Sequence, residues 1–444
     1  MSKFVPRLQS LVSAEQLSGW ETVTPSLKAQ LAQAIAPGVM PECLVQPDTP
    51  AQLAAVMKEL HWQKGRSLPL GAGTKLHWGG ISDPIQVGIS TIRMNQLIDH
   101  AAGDLTVTAQ AGMRLADLQA HLAQQNQFLP LNPSYRDAAT LGGIIATADS
   151  GSLRHRYGGV RDLLIGITFV RADGEMAKAG GRVVKNVAGY DLMKLFTGSW
   201  GTLGILTEVT FRVYPLPEAS KTLVLTGEPE AIARVTQALL SSALTPVAVE
   251  LVAPAAMQPL GHTGLGLVVQ FQGLAVSLDA QATQLRQFAQ AADLAEATYT
   301  DTAEASLWKQ LQALWEVIPT ESVSQIAPTP SLTCKIGVLP NQAAVTLAKI
   351  ADQFPSLTYG TIHAGSGLGL LRFANPPSPS HLLDLRHRCE AQGGFLSLLA
   401  APVDLKRQID VWGYSGNALG LMRGIKQQFD PENLLSPGRF VGGI

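Results

Sequence analysis

Cysteine is scarce in this chain. Cys43, Cys334 and Cys389 are the only three in 444 residues, they lie far apart, and they form no Cys-x-x-Cys pair. Three scattered thiols cannot by themselves ligate an iron–sulfur cluster or a structural zinc, and they point to a reducing compartment. Charge is sparse too: charged residues make up 15% of the chain, the formal net charge is −1, and Lys and Arg are scattered. That leaves no basic stripe and excludes a nucleic-acid surface. No apolar run approaches the roughly 18 residues of a membrane span, and the start MSKFVPRLQSLVSAEQ has no apolar stretch after its basic residues. The expectation is a cytoplasmic chain, at most peripheral at the inner face of a membrane.

What is present is a well-buried globular composition, 46% hydrophobic, in a chain too long for one core. The organising stretch is PLGAGTKLHWGG, Pro69 to Gly80. Gly71 and Gly73 allow positive φ and can turn several N–H groups toward one anion, such as a pyrophosphate. A dinucleotide fingerprint needs a further glycine where this chain has Leu76, and a P-loop needs Gly-Lys-Ser/Thr at its end. Neither pattern fits.

Residues 1–40 read as a helical segment with Leu8, Leu11, Val12, Leu27, Leu31 and Ile35 at helical spacing. Thr49-Pro50-Ala51-Gln52 reads as a capping box, with Leu53, Val56, Met57 and Leu60 as the buried face behind it. Small residues recur in AATLGGIIAT, Ala138 to Thr147, where a flat ring or a phosphate can approach the backbone. Leu163 to Val170 and Glu175 to Ala177 read as a hairpin about Asp173-Gly174. In GSWGTLGILTEVTFRV, Ile205, Thr207, Val209, Phe211 and Val213 alternate with Leu206, Glu208, Thr210 and Arg212, until Pro215 and Pro217 stop the strand. Later strands and helices suit a ferredoxin-like sheet with extra strands. The expected divisions are 1–40, 41–217, 218–405 and 406–444, the last returning to the domain before it.

Taken in order, PLGAGTKL, AATLGGIIAT, RYGGVRDLLIG and GSWGTLGILTEVTFRV resemble the PCMH-type, or vanillyl-alcohol-oxidase type, FAD-binding family. The resemblance implies an α+β fold: an FAD-binding domain of two α+β subdomains, a ferredoxin-like α+β cap, and a C-terminal segment on the FAD domain. It implies cofactor contacts from Gly71, Ala72, Gly73, Thr74, Lys75 and Leu76, from Pro133, Thr140, Leu141, Gly142, Gly143 and Ala146, and from Gly204 and Ile205. Covalent relatives carry a histidine where this chain has Thr74, so non-covalent FAD is expected, with His77 displaced from that position.

More closely, KNVAGYDLMKLFTGSWGTLG and DVWGYSGNALGLMRGIKQQFDPENLLSPGRF resemble the E-type FAD-binding subunits of glycolate oxidase. That implies oxidation of a small 2-hydroxyacid, glycolate to glyoxylate, beside a D-type flavoprotein subunit and an F-type iron–sulfur subunit. The alternatives are an autonomous FAD-linked lactate or glycolate dehydrogenase, or a non-catalytic scaffold subunit.

Two departures bear on this. Catalytic relatives carry His-Pro-Gly-Asp-Gly-Asn-Leu-His where this chain reads His363-Ala364-Gly365-Ser366-Gly367-Leu368-Gly369-Leu370, so no metal is expected. Trp200 stands where they carry Glu. His363, as a base, and Arg372, as a carboxylate partner, are the weak catalytic candidates. Lys185, Asn186, Tyr190 and Asp191 sit in a glycine-rich loop expected to order an interface or reach the substrate.

Overall fold

Thr49 starts a helix for the reason its chemistry gives: its Oγ1 accepts the N–H of Gln52 at 3.2 Å, and Pro50 occupies the first helical position. Helix Pro50–Gln63 buries Leu53, Val56, Met57 and Leu60 completely, packing them with Cys43, Val45, Val87 and Ile89. The computed structural model describes residues 3–38, 40–182, 189–314, 316 and 331–444. Lys185 and Asn186 lie outside the described residues. The chain divides into two units, Met1–Gly151 with Gly158–Leu216 and Tyr414–Ile444, and Ser152–Tyr157 with Pro217–Gly413.

The first unit holds two main sheets. One runs in the order Leu17–Gly19, Cys43–Val45, Val87–Ser90, Ser67–Leu70, with parallel pairing among the last three strands. The N-terminal 40 residues are therefore not helical throughout. They include helix Pro25–Ala32 and an edge strand, Leu17–Gly19, too short to show any alternation. The other sheet is antiparallel, in the order Leu97–Ala101, Thr106–Gln110, Ile205–Arg212, Leu164–Val170, Met176–Gly180. Its central strand Ile205–Arg212 is buried on both faces except at Glu208 and Arg212. Thr210 finds a partner in Thr108 (Oγ1 to Oγ1 2.9 Å), and Thr207 donates to the carbonyl of Thr168 at 3.1 Å.

The C-terminal segment belongs to this unit. Helix Leu419–Phe429 brings in Lys426, whose ammonium is buried and donates to Asp430 Oδ2 (2.6 Å), Thr202 O (2.9 Å) and Leu435 O (2.9 Å). Asp430 in turn accepts the N–H groups of Leu434 and Leu435, and Ser67 and Ser436 bond along the start of the strand that leads to the glycine loop.

The second unit is one eight-stranded antiparallel sheet made of two βαββαβ halves. The first half orders its strands Ala295–Thr300, Ala219–Gly227, Leu265–Gly273, Ala248–Val252; the second orders them Leu357–His363, Leu368–Phe373, Leu332–Gly337, Phe395–Ala400. The halves join where Ala248–Val252 pairs with Leu357–His363. Helices Pro229–Leu240, Ala275–Ala291, Ala343–Gln353 and Pro379–Ala391 supply much of the core. Among the described residues no helix is long and apolar enough to cross a membrane. The three cysteines are free and buried.

Candidate functional site

Strand Ser67–Leu70 ends at Gly71, and the need for glycine there is steric. A Cβ on Gly71 would lie 2.0 Å from Thr140 Oγ1. Thr140 caps helix Leu141–Thr147, its Oγ1 facing the N–H of Gly143 at 3.4 Å, so the cap and the glycine loop are in direct apposition. Gly73 holds φ at +80°, in the left-handed region that favours glycine. Ser90 Oγ donates to Gly71 O at 2.8 Å, fixing the exit from the strand.

Arg439 secures the far end of the loop. Its Nη2 donates to Leu76 O at 2.7 Å and Trp78 O at 2.9 Å, while Nη1 reaches Ala34 O at 3.3 Å. Burial pushes this guanidinium down to about 10. A Cβ on Gly80 would meet the Arg439 carbonyl at 2.5 Å, so glycine permits that close approach as well.

Between these elements lies an open cleft with an empty volume of about 800 Å³, counted out to its solvent mouth. Gly71, Ala72, Gly73, Thr74, Lys75 and Leu76 line it, with Thr140, Gly142, Gly143, Ala146, Gly204 and Ile205. Leu141 is fully buried, and neither it nor Pro133 lines the cleft. Leu141 follows the capping Thr140 and turns its side chain into the core. Residues that sequence reasoning did not assign also line the cleft: Thr91, Ser199 and Arg439. Arg439 sits in the SPGRF tail, and the only sequence signal was that this tail returns to the first domain.

Trp200 reaches the cleft from a turn in which Gly198, Trp200 and Gly201 all have positive φ, and its backbone N–H donates to Ala146 O at 3.0 Å. For a tryptophan that conformation costs about 1–2 kcal/mol, and it presents a large uncharged ring. His77, displaced from the covalent position, has its Nε2 3.3 Å from the hydroxyl of Tyr135. Lys75 lines the cleft with its stem, while its ammonium lies 2.7 Å from Asp149 Oδ2.

In the second unit, His363 ends strand Leu357–His363. Its Nδ1 lies 2.5 Å from Glu250 Oε1, and Thr361 Oγ1 donates to Glu250 Oε2 at 2.8 Å. His155 belongs to the same cluster: a Cβ on Gly365 would sit 2.8 Å from its Nδ1. Burial pushes the His155 imidazole below its ordinary value, Glu250 pulls it up and His363 pushes it down. Arg372 is elsewhere on the sheet, opposite Tyr359 and donating to Leu314 O at 3.2 Å. Four residues of strand, about 13 Å, separate Tyr359 from His363, so the two weak candidates are not brought together. Tyr190 is exposed, and Asp191 caps helix Leu192–Phe196. Among the described residues no group of three or more His, Cys, Asp or Glu could hold a metal ion.

Residues 41–180 match the family model described as FAD binding domain, and residues 408–440 that of FAD linked oxidases, C-terminal domain. Glycolate oxidase subunit GlcD of Bacillus subtilis (strain 168) is 25% identical over 437 residues, covering 90% of this chain and 89% of that protein. D-2-hydroxyglutarate dehydrogenase of Xanthomonas citri pv. viticola is 26% identical over 427 residues, with 90% and 89% covered. Glycolate oxidase subunit GlcE of Escherichia coli (strain K12) is 40% identical over 128 residues, 29% of this chain and 37% of that protein. The structure of 4-ethylphenol oxidase from Gulosibacter chungangensis superimposes with a TM-score of 0.75 at 16% identity, covering 98% and 96% of the two chains, and shares the fold. The residues around the cleft fit the cofactor these matches name: its lining is rich in small residues, Gly71, Ala72, Gly73, Gly142, Gly143 and Ala146 among them, which let an anion or a flat ring come close to the backbone. FAD is the cofactor of this chain, and oxidation–reduction is its chemistry.

Proposed function

We propose that this FAD-dependent oxidoreductase serves as the FAD-binding subunit of a glycolate-oxidising complex, supporting the two-electron oxidation of glycolate to glyoxylate. Bound FAD would supply the two-electron acceptor. In this reading the backbone of Gly71 to Lys75 faces the pyrophosphate, Thr140, Gly142, Gly143 and Ala146 admit the flavin side, and Gly204 and Ile205 lie toward the adenosine. Thr74 in the loop, with His77 engaged by Tyr135, supports non-covalent binding.

The observation that carries the subunit reading is the donor set at His363. One imidazole is backed by Glu250, and the positions that follow are Ser366, Leu368 and Leu370, apart from the acid, amide and second histidine of the catalytic relatives it resembles. Substrate oxidation then falls chiefly to a D-type flavoprotein subunit, with an F-type iron–sulfur subunit carrying electrons onward. Similarity to glycolate oxidase subunits supports that company. A second reading, an autonomous FAD-linked 2-hydroxyacid dehydrogenase, is favoured by the pairing of Glu250 with His363, which holds a base in one orientation.

The visible spectrum of the purified chain, recorded without oxygen before and after glycolate, separates the two. A flavin spectrum that glycolate leaves unchanged, and that bleaches once the D-type subunit is added, is expected. Bleaching by glycolate alone would overturn the subunit reading in favour of the second.

A further inference from the structure

We propose that Lys75 and Asp149 act as one positioning pair for the glycine loop, and that Lys75 is not a ligand of the cofactor's phosphates. The inference rests on the FAD reading of the cleft and deepens it by assigning a role to Asp149.

A lysine in a phosphate-binding loop would ordinarily be taken as a charge for the anion. Here the ammonium faces the other way. Nζ is fully buried and sits 2.7 Å from Asp149 Oδ2, the two side chains being 6% and 13% exposed, and it lies 5.3 Å from the centre of the Trp78 ring. The cleft therefore meets the aliphatic stem of Lys75, and the charged end is sealed behind it.

Asp149 binds more than Lys75. The same Oδ2 accepts the N–H of Ser134 at 2.9 Å, so one carboxylate ties the glycine loop to the Pro133–Tyr135 stretch and to the turn after helix Leu141–Thr147. Burial alone would push the Asp149 carboxyl up, but the Lys75 charge and the bonds to the acid outweigh it and hold the group below its ordinary value. As an ion pair the two residues present no net charge. A cofactor phosphate that drew Lys75 away would leave a buried carboxylate unpaired, which is the costly outcome for such pairs.

The pair makes a specific prediction for a double-mutant cycle. Purified apo chain is titrated with FAD, with binding followed by flavin fluorescence, for wild type, Lys75→Met, Asp149→Asn and the double variant. Each single variant is expected to weaken FAD by about tenfold, corresponding to ~1.4 kcal/mol, and the double variant to recover most of that loss. The thermal midpoint of each apo chain should follow the same pattern, since positioning acts before the cofactor arrives. Should a single variant not fold, the double variant is compared with wild type for the salt dependence of FAD affinity, which should be unchanged because no phosphate contact is lost.

Weakening by Lys75→Met with Asp149→Asn at wild-type affinity, additive losses, or a shallower salt dependence in the double variant would each overturn the pair. Wild-type chain that binds no FAD would instead sink the reading of the cleft itself.

Discussion

His363 Nδ1 lies 2.5 Å from Glu250 Oε1 where the two halves of the eight-stranded sheet meet. The second carboxylate oxygen is held by Thr361, so Glu250 has both oxygens engaged and the His363 ring is fixed in orientation. His155 feels both partners.

Replacing Glu250 by Gln keeps the size and removes the charge that supports protonation of His155. The His155 pKa, already lowered chiefly by burial, should fall further. Titration of histidine ring signals by NMR reads this directly, and an unchanged or higher value would contradict it. The sign for stability follows. A histidine depressed in the folded state contributes stability that is present above its unfolded pKa of about 6.5 and is lost as pH falls through the folded value.

Asp149 sets a second, more acidic limit. Its carboxyl is lowered in the folded chain, so the stability it contributes is present above the unfolded value of about 3.9 and is lost as pH falls through the folded one. In Lys75→Met only the Ser134 bonds still oppose the burial effect, and the carboxyl should rise. Thermal midpoints between pH 3 and pH 7 should then show the acid limb moved to higher pH, whereas an unmoved limb would contradict the role given to Lys75.

Gly71→Ala places a methyl group 2.0 Å from Thr140 Oγ1. Either the loop or the cap must shift, at about 1–3 kcal/mol for an overpacked contact. The bound flavin per chain, measured by absorbance after gel filtration, should drop well below wild type while the far-ultraviolet circular dichroism stays the same. Full flavin content would show that the apposition is not needed.

Arg439→Lys keeps the charge and loses the fork that serves Leu76 O and Trp78 O together. Leaving a buried carbonyl unmet costs about 1–3 kcal/mol. Faster flavin release in a stopped-flow chase with excess free FAD is expected, and wild-type kinetics would count against Arg439 as the tie at the end of the loop.

The cleft was legible in the sequence at Gly71, Gly73 and Gly142 because glycine stands out by residue type, even where the group that requires it, such as Thr140 at Gly71, lies far along the chain. Lys75 was legible as a loop residue, but the direction of its ammonium depends on Asp149, 74 positions on, which carries no signal of its own. Arg439 and His155 were missed for the same reason: each acts through partners distant in the chain. In the second unit, strand Ala295–Thr300 and helix Asp301–Ala313 went unmarked. The strand is an edge, and its residues alternate only between exposed and half-exposed, so no fully buried apolar face marks it in the sequence. The central strand Ile205–Arg212 shows the opposite case: its alternation was clear, yet both faces are buried because threonines find hydroxyl and carbonyl partners inside the sheet.

The hydrogen bond from Arg439 to Leu76 spans 363 residues. A ribosome makes the glycine loop early, then the whole of Pro217–Gly413, and only afterwards the arginine that ties the loop's far end. Fastening of the glycine loop is therefore a late event in biosynthesis, and a nascent chain stalled inside the second unit would carry that loop without the tie that secures it.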